Sequence, residues 1–264
     1  MGLEMEPPRF SVVIPAWNEA AYLPRLLQTV AEARHRYPRG PDQVEVIVAD
    51  NGSTDETGEL ARAAGCAVVP AIPRTIAAVR NAGARAARGE ILVFIDADSK
   101  VHPDTFAAID RAMATGRVVA GATGVTLDRW SVGIALTYAA FVPVLWLTGM
   151  DTGAVFFRRA DFESLGGYNE GLQYAEDVDL LWRARALGRR RGQRLTRLRG
   201  VKAVTSTRKF DIHGDWHYFR LMPRAGLDWL RKNPDSVTQR YWYGEGLRPP
   251  PRSDRNDRQL RPRP

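Results

Sequence analysis

The chain has 264 residues, 44% of them hydrophobic, one cysteine and a formal charge of +8, which suits a single large domain with a sizeable buried core. A lone cysteine excludes an intrachain disulfide framework, and Cys66, beside Ala67, Val68 and Val69, reads as a packed thiol rather than a nucleophile. The basic balance favours an anionic partner, but nucleic acid is not expected, because neither zinc-ligand spacing nor an RNP-type strand accompanies the charge.

Met1 to Phe10 combines acids with two prolines where an export signal needs a basic start and an apolar stretch. A cytoplasmic location is expected. Phe10 to Ile14 reads as a first strand, broken by Pro15-Ala16-Trp17-Asn18-Glu19. Tyr22, Leu23, Leu26, Leu27 and Val30 then recur at the spacing of an amphipathic helix capped by Asn18, with Pro24 in its first turn. Val44 to Ala49 is a second strand, ending in the turn-forming string Asp50-Asn51-Gly52-Ser53-Thr54-Asp55 before a short helix up to Ala64. Ala67 to Pro70 reads as an edge strand and Thr75 to Arg88 as a helix stopped by Gly89. Ile91 to Ile95 is apolar throughout, as a central buried strand should be, and ends on Asp96-Ala97-Asp98.

A helix from about Asp104 to Thr115, a strand at Val118 to Ala122, a strand at Ala154 to Phe157 and a helix from Glu176 to Gly188 complete the alternation. That alternation predicts an α/β fold, with a mainly parallel central sheet flanked by helices. The apolar stretch Val132 to Met150 carries Gly133, Thr137, Pro143 and Thr148, so it reads as a buried or interfacial helix rather than a bilayer span. Between Arg183 and Lys209 there is no Asp or Glu. That run reads as a solvated basic face, or as a surface that neutralises a diphosphate or meets an anionic membrane. Beyond Leu247 the chain is rich in Pro and Arg with little to bury, which predicts a disordered basic tail over residues 248–264.

Four polar clusters fall at the carboxyl ends of these strands or at the start of a later helix, where open α/β sheets bind ligands: Pro15 to Glu19, Asp50 to Asp55, Asp96 to Asp98, and Glu176-Asp177. Asp96 and Asp98 lie two residues apart, so on an extended backbone both carboxylates project to one side and offer hard oxygens suited to Mg²⁺ or Mn²⁺. Asp50 can accept a hydrogen bond from a nucleotide base, and Asn51, Gly52 and Ser53 allow close backbone approach; the same string is also good turn chemistry without a ligand.

Ser11 to Glu19 (SVVIPAWNE), Val48 to Asp55 (VADNGSTD), Arg80-Asn81-Ala82-Gly83, Asp96-Ala97-Asp98 and Gly166 to Glu170 (GGYNE) followed by Glu176-Asp177 resemble, in order, the motifs of family 2 glycosyltransferases with the GT-A fold. The resemblance implies transfer of a sugar from a nucleotide-diphosphate donor by one domain, residues 1–247, with a Rossmann-like nucleotide-binding half over about 10–125 and an acceptor half over about 126–247. It implies that Ala16, Glu19 and Asp50 line the base and ribose pocket, with Ser53 and Arg80 near the nucleotide and Pro15 and Asn18 among the donor-binding residues. Asp96, Ala97 and Asp98 would form the metal-binding DXD motif. Asp177 would be the catalytic base of an inverting displacement, with Glu176 beside it.

A late histidine can complete the metal site in such enzymes, which makes His213, ahead of His217, a candidate ligand, with Arg208 and Lys209 placed to meet the diphosphate. No Gln-x-x-Arg-Trp string follows Glu176-Asp177, and Trp182 lies outside such a context. Non-processive transfer to a small or lipid-linked acceptor is therefore expected, with peripheral contact at the inner face of an anionic membrane. A retaining transferase sharing the fold and the DXD motif, and a non-catalytic nucleotide-sugar binder, are the alternatives. A sugar-nucleotide pyrophosphorylase would need a Gly-rich phosphate loop after the first strand, which the chain lacks.

Overall fold

The computed structural model describes residues 6–71, 75–148, 153–172, 176–217 and 219. The tail expected over 248–264 lies outside them. In chain order the elements are β1 (Phe10–Ala16), α1 (Leu23–Arg36), a 3-10 turn (Pro41–Gln43), β2 (Val44–Asp50), α2 (Thr57–Ala63), β3 (Ala67–Pro70), α3 (Ile76–Ala86), β4 (Ile91–Phe94), α4 (Thr105–Ala114), β5 (Val118–Leu127), α5 (Val132–Thr148), β6 (Val155–Arg158), α6 (Arg159–Ser164), α7 (Glu176–Arg190), β7 (Arg194–Thr205) and α8 (Arg208–His213). The strands form one sheet in the order β3-β2-β1-β4-β6-β5-β7. All pairings are parallel except those of β6, which runs antiparallel to both β4 and β5.

Strand alternation divides the core between the two faces of the sheet. Phe10, Val12 and Ile14 pack with Leu23, Leu26, Val30, Phe106 and Ile109 on the face covered by α1, α2 and α4. Val13, Leu92 and Phe94 pack with Ala77, Ala84, Phe162, Leu180 and Leu181 under α3, α6 and α7. Chain routing therefore reverses between β1 and β4, the switch point beyond whose carboxyl ends open α/β sheets bind their ligands.

Several expectations need correction. The first strand does not break at Pro15 but runs to Ala16, in register with Asp50. Val13 accepts from Ile95 on the β4 side and Ala16 accepts from Asn51 on the β2 side, so by alternation Pro15 turns its missing N–H toward β4, where that ladder has already ended. Asn18 does not cap α1. The helix starts after Tyr22 without a side-chain cap, with Pro24 in its first turn as expected, while Asn18 takes a positive φ of 53° and accepts from the Thr54 N–H at 2.8 Å. The basic run is not simply a solvated face: it ends α7 and contains β7 and the start of α8. Arg183 is bonded to Asp179 and to two carbonyls, and Arg191 to Asp161.

Cys66 is half-buried and its thiol is pushed up by burial, as suits a packed side chain. The window from Val132 forms α5, whose residues Val132, Ala135, Leu136, Ala139 and Ala140 face outward. Among the described residues no helix is long and apolar enough to cross a membrane.

Candidate active site

The loops at the carboxyl ends of β1 and β2 are fastened to each other. Asp50 Oδ1 accepts from the Ser53 N–H at 2.9 Å, closing an Asx turn, and Ser53 Oγ accepts from the Asn18 N–H at 3.0 Å. The Glu19 N–H donates to Thr57 Oγ1 at 2.8 Å, and Glu19 itself is buried. Asn18, Glu19, Asp50 and Ser53 are thus drawn together beyond the carboxyl ends of β1 and β2, with Pro15 and Ala16 buried at the end of β1 and Asn18 exposed.

Beyond β4 the backbone does not stay extended. Ser99 N–H bonds to Asp96 C=O at 3.0 Å, making a turn over Asp96-Ala97-Asp98, so the two carboxylates serve different partners instead of projecting together. Asp96, half exposed, accepts from Arg80 at 2.8 Å. Asp98, mostly covered, lies 3.1 Å from Arg208 Nε, and Ala97 is buried between them. The turn is also held from the other side by a reciprocal pair of backbone bonds between Lys100 and Val204, 2.8 and 2.9 Å long.

Arg80 is the hinge of the site. Thr75 caps α3 by accepting from Ala78 N–H. Gly83 lets the helix lie against β1, because a Cβ there would stand 2.5 Å from Val13. On that helix Arg80 is 5% exposed and meets Glu176 at 2.5 Å, Asp177 at 3.3 Å and Asp96 at 2.8 Å. Its guanidinium also lies 5.3 Å from the centre of the Tyr168 ring. One side chain therefore joins the turn after β4 to the first turn of α7. Desolvation, with Glu176 and Asp96 adding to it, outweighs the downward pull of Arg80, and together they leave the Asp177 carboxyl pushed up to about 6.

The sequence patterns named the motif that contains Asn81 and the one that contains Tyr168 without giving either residue a role. Asn81 is the link between them: it donates to Tyr168 C=O and Glu170 and accepts from Tyr168 N–H. Gly166 and Gly167 have positive φ, and a Cβ on Gly167 would fall 2.7 Å from Asn81 Oδ1. The joint occurrence of an Arg-Asn pair and a Gly-Gly-Tyr string was the available signal. Gly167→Ala is expected to lose about 1–2 kcal/mol to left-handed backbone strain alone, and more as Asn81 is displaced; urea unfolding curves measure it.

His213 lies at the exposed end of α8, its ring 5.7 Å from that of His217. His217 is buried against Phe210. Among the described residues no group of three His, Cys, Asp or Glu side chains is arranged to hold a metal. Lys209 lies in α8.

Comparison with known proteins places this geometry. Residues 11–142 match the family described as Glycosyl transferase family 2. An undecaprenyl-phosphate 4-deoxy-4-formamido-L-arabinose transferase of Pseudomonas paraeruginosa is 36% identical over 123 residues, 42% of this chain and 34% of that protein. The chain thus matches about a third of that relative's length. Among solved structures, a mannosyltransferase from Pyrobaculum calidifontis in complex with GDP-Man and Mn²⁺ aligns with a TM-score of 0.64 at 23% identity, over 88% of this chain and 66% of that one. Glucosyl-3-phosphoglycerate synthase from Mycobacterium tuberculosis, in complex with Mn²⁺, UDP and glucosyl-3-phosphoglycerate, aligns at 0.58 and 23% over 86% and 80%. These likenesses show the GT-A architecture. Taken with the ordered motifs that converge on one crevice, the match establishes that the chain belongs to glycosyl transferase family 2.

Proposed function

We propose that the crevice binds a nucleotide-diphosphate sugar with a divalent cation and transfers the sugar to an acceptor hydroxyl by inverting displacement, with Asp177 as the base. The observation that carries this reading is the Arg80 bridge from Asp96 to Glu176 and Asp177. It sets one carboxylate of the turn after β4, Asp96, and a carboxylate of raised proton affinity, Asp177, within one side chain's reach.

Asp96 and Asp98 fit Mg²⁺ or Mn²⁺, which accept carboxylate oxygens and fill the remaining positions with phosphate and water. They would hold the ion, with Asp98 as the direct ligand and His213 of α8 as a further donor. A bound divalent cation supplies positive charge to the leaving diphosphate. The loop carrying Asn18, Glu19, Asp50 and Ser53 would receive the base and ribose, and Arg80 would steady the pyrophosphate side. Asp177 would take the acceptor proton, with Glu176 holding Arg80 beside it. The outward apolar face of α5 suits an acceptor that is lipid-linked and met at a membrane surface.

Isothermal titration with UDP and GDP in the presence of Mn²⁺ tests the donor site. Binding is expected for one of the two, and Asp98→Ala is expected to abolish its dependence on metal. Unchanged affinity in that variant would remove the metal from the proposal, and absence of binding by either nucleotide would remove the donor.

A further inference from the structure

Arg208 is placed as a cation among acids. Its two terminal nitrogens donate to Glu19 at 2.8 and 2.9 Å, its Nε lies 3.1 Å from Asp98 Oδ2, and its guanidinium stands 5.1 Å from the centre of the Tyr22 ring. The chain holds it there from both sides. Behind it, the Lys100–Val204 bridge fastens β7 to the turn after β4, and Thr207 donates through both N–H and Oγ1 to Asp128 at 3.0 and 2.8 Å. In front, Glu19 is buried and its N–H is tied to Thr57.

Among the described residues, Arg80 is paired with Asp96, Glu176 and Asp177, and Arg208 with Glu19 and Asp98. Arg208 Nε holds Asp98 Oδ2, so a cation that binds this oxygen takes it from Arg208, and a guanidinium that loses a carboxylate in a partly buried site is costly. The exchange becomes favourable when phosphate oxygens arrive to receive the planar fork, since guanidinium–phosphate pairs are charge-assisted and bidentate.

We propose that Arg208 competes with the divalent cation for Asp98, as a tethered cation that leaves the carboxylate only when a diphosphate offers its guanidinium new oxygens. The inference rests on the donor reading above for its second half, and on the ion pair alone for its first. It makes metal and nucleotide bind with positive coupling, and it assigns that coupling to one side chain.

The test titrates Mn²⁺ alone into the full chain, following free Mn²⁺ by electron paramagnetic resonance, for the parent, Arg208→Gln and Arg208→Met. The Met variant keeps an apolar stem over Tyr22, so a packing loss in one variant is checked by the other. Both are expected to bind Mn²⁺ on the order of tenfold more tightly than the parent, the scale of one charge-assisted hydrogen bond. Adding Asp98→Asn to either should erase the gain. In the parent, UDP or GDP should tighten Mn²⁺ binding beyond complexation in solution, and in the variants that tightening should shrink toward none.

Mn²⁺ affinity unchanged or weakened in the variants, with melting temperatures close to the parent's, overturns the competition whatever the nucleotides do. If the variants gain Mn²⁺ affinity while neither nucleotide binds any of the proteins, the competition at Asp98 stands and the donor reading falls.

Discussion

Asp177→Asn is expected to keep metal and donor binding and to lower turnover by about 10²–10⁴-fold, the usual contribution of a positioned general base. The amide preserves shape but cannot accept the acceptor proton. The raised proton affinity of Asp177 adds a second signature. With its carboxyl pushed up to about 6, chiefly by desolvation, Asp177 is protonated below that value, so the proposed role predicts that kcat/KM falls as pH drops through about 6 and levels off above it. The Asn variant should lose that limb.

The stability sign is opposite to that of a salt-bridged acid. From its ordinary value of 3.8 to about 6, the folded chain holds the Asp177 proton more tightly than the unfolded chain, so this group's contribution to stability declines as pH rises through that window. At pH 7 the Asn variant should melt no lower than the parent. A role confined to favouring the start of α7 predicts the reverse pattern, a loss of about 0.3–1 kcal/mol with normal turnover. Turnover within a few-fold of the parent would point to an acceptor whose oxygen is already ionised, such as a phosphate.

Arg80→Gln is expected to cost about 3–5 kcal/mol of folding stability, because removing one side of a buried ionic group leaves the other charges uncompensated. Three carboxylates converge on this guanidinium, and Glu176 is nearly as buried as Arg80 itself. Asp177 should titrate higher once the charge that pulls it down is gone, so the cost should fall at lower pH as this carboxyl takes up a proton. Urea unfolding at pH 7 and pH 5 measures both effects. A loss below about 1 kcal/mol at pH 7 would mean that water replaces the guanidinium and that the bridge is not what orders the site.

Legibility in the sequence tracked locality. Ala67–Pro70 is found at the expected bounds because a short Val-rich run between turn residues is a local pattern, and the parallel order of β1 to β4 follows from alternation with helices. Pro15 was misread for the complementary reason. Whether a proline ends a strand depends on which neighbour its nitrogen faces, and that is settled by β4, far along the chain. β7 went unseen because its residues alternate only loosely, and its partner β5 lies across α5, β6, α6 and α7.

The clusters that carry chemistry were visible as motifs, but their pairing was not. That Asp96 turns to Arg80 and Asp98 to Arg208 depends on a four-residue turn and on a helix more than a hundred positions later. Asn81 and Tyr168 likewise acquire meaning only when two motifs meet.

The place of β6 bears on how the chain comes into being. β6 is made after β5 yet lies between β5 and β4. While the chain emerges from the ribosome, Ile91–Phe94, wholly apolar, has β1 on one side and lacks its other neighbour until residue 158 has appeared. An open apolar strand edge is a template for a second nascent chain. The speed of translation through residues 118–158 therefore bears on the yield of native protein, apart from any contribution of that segment to the finished fold.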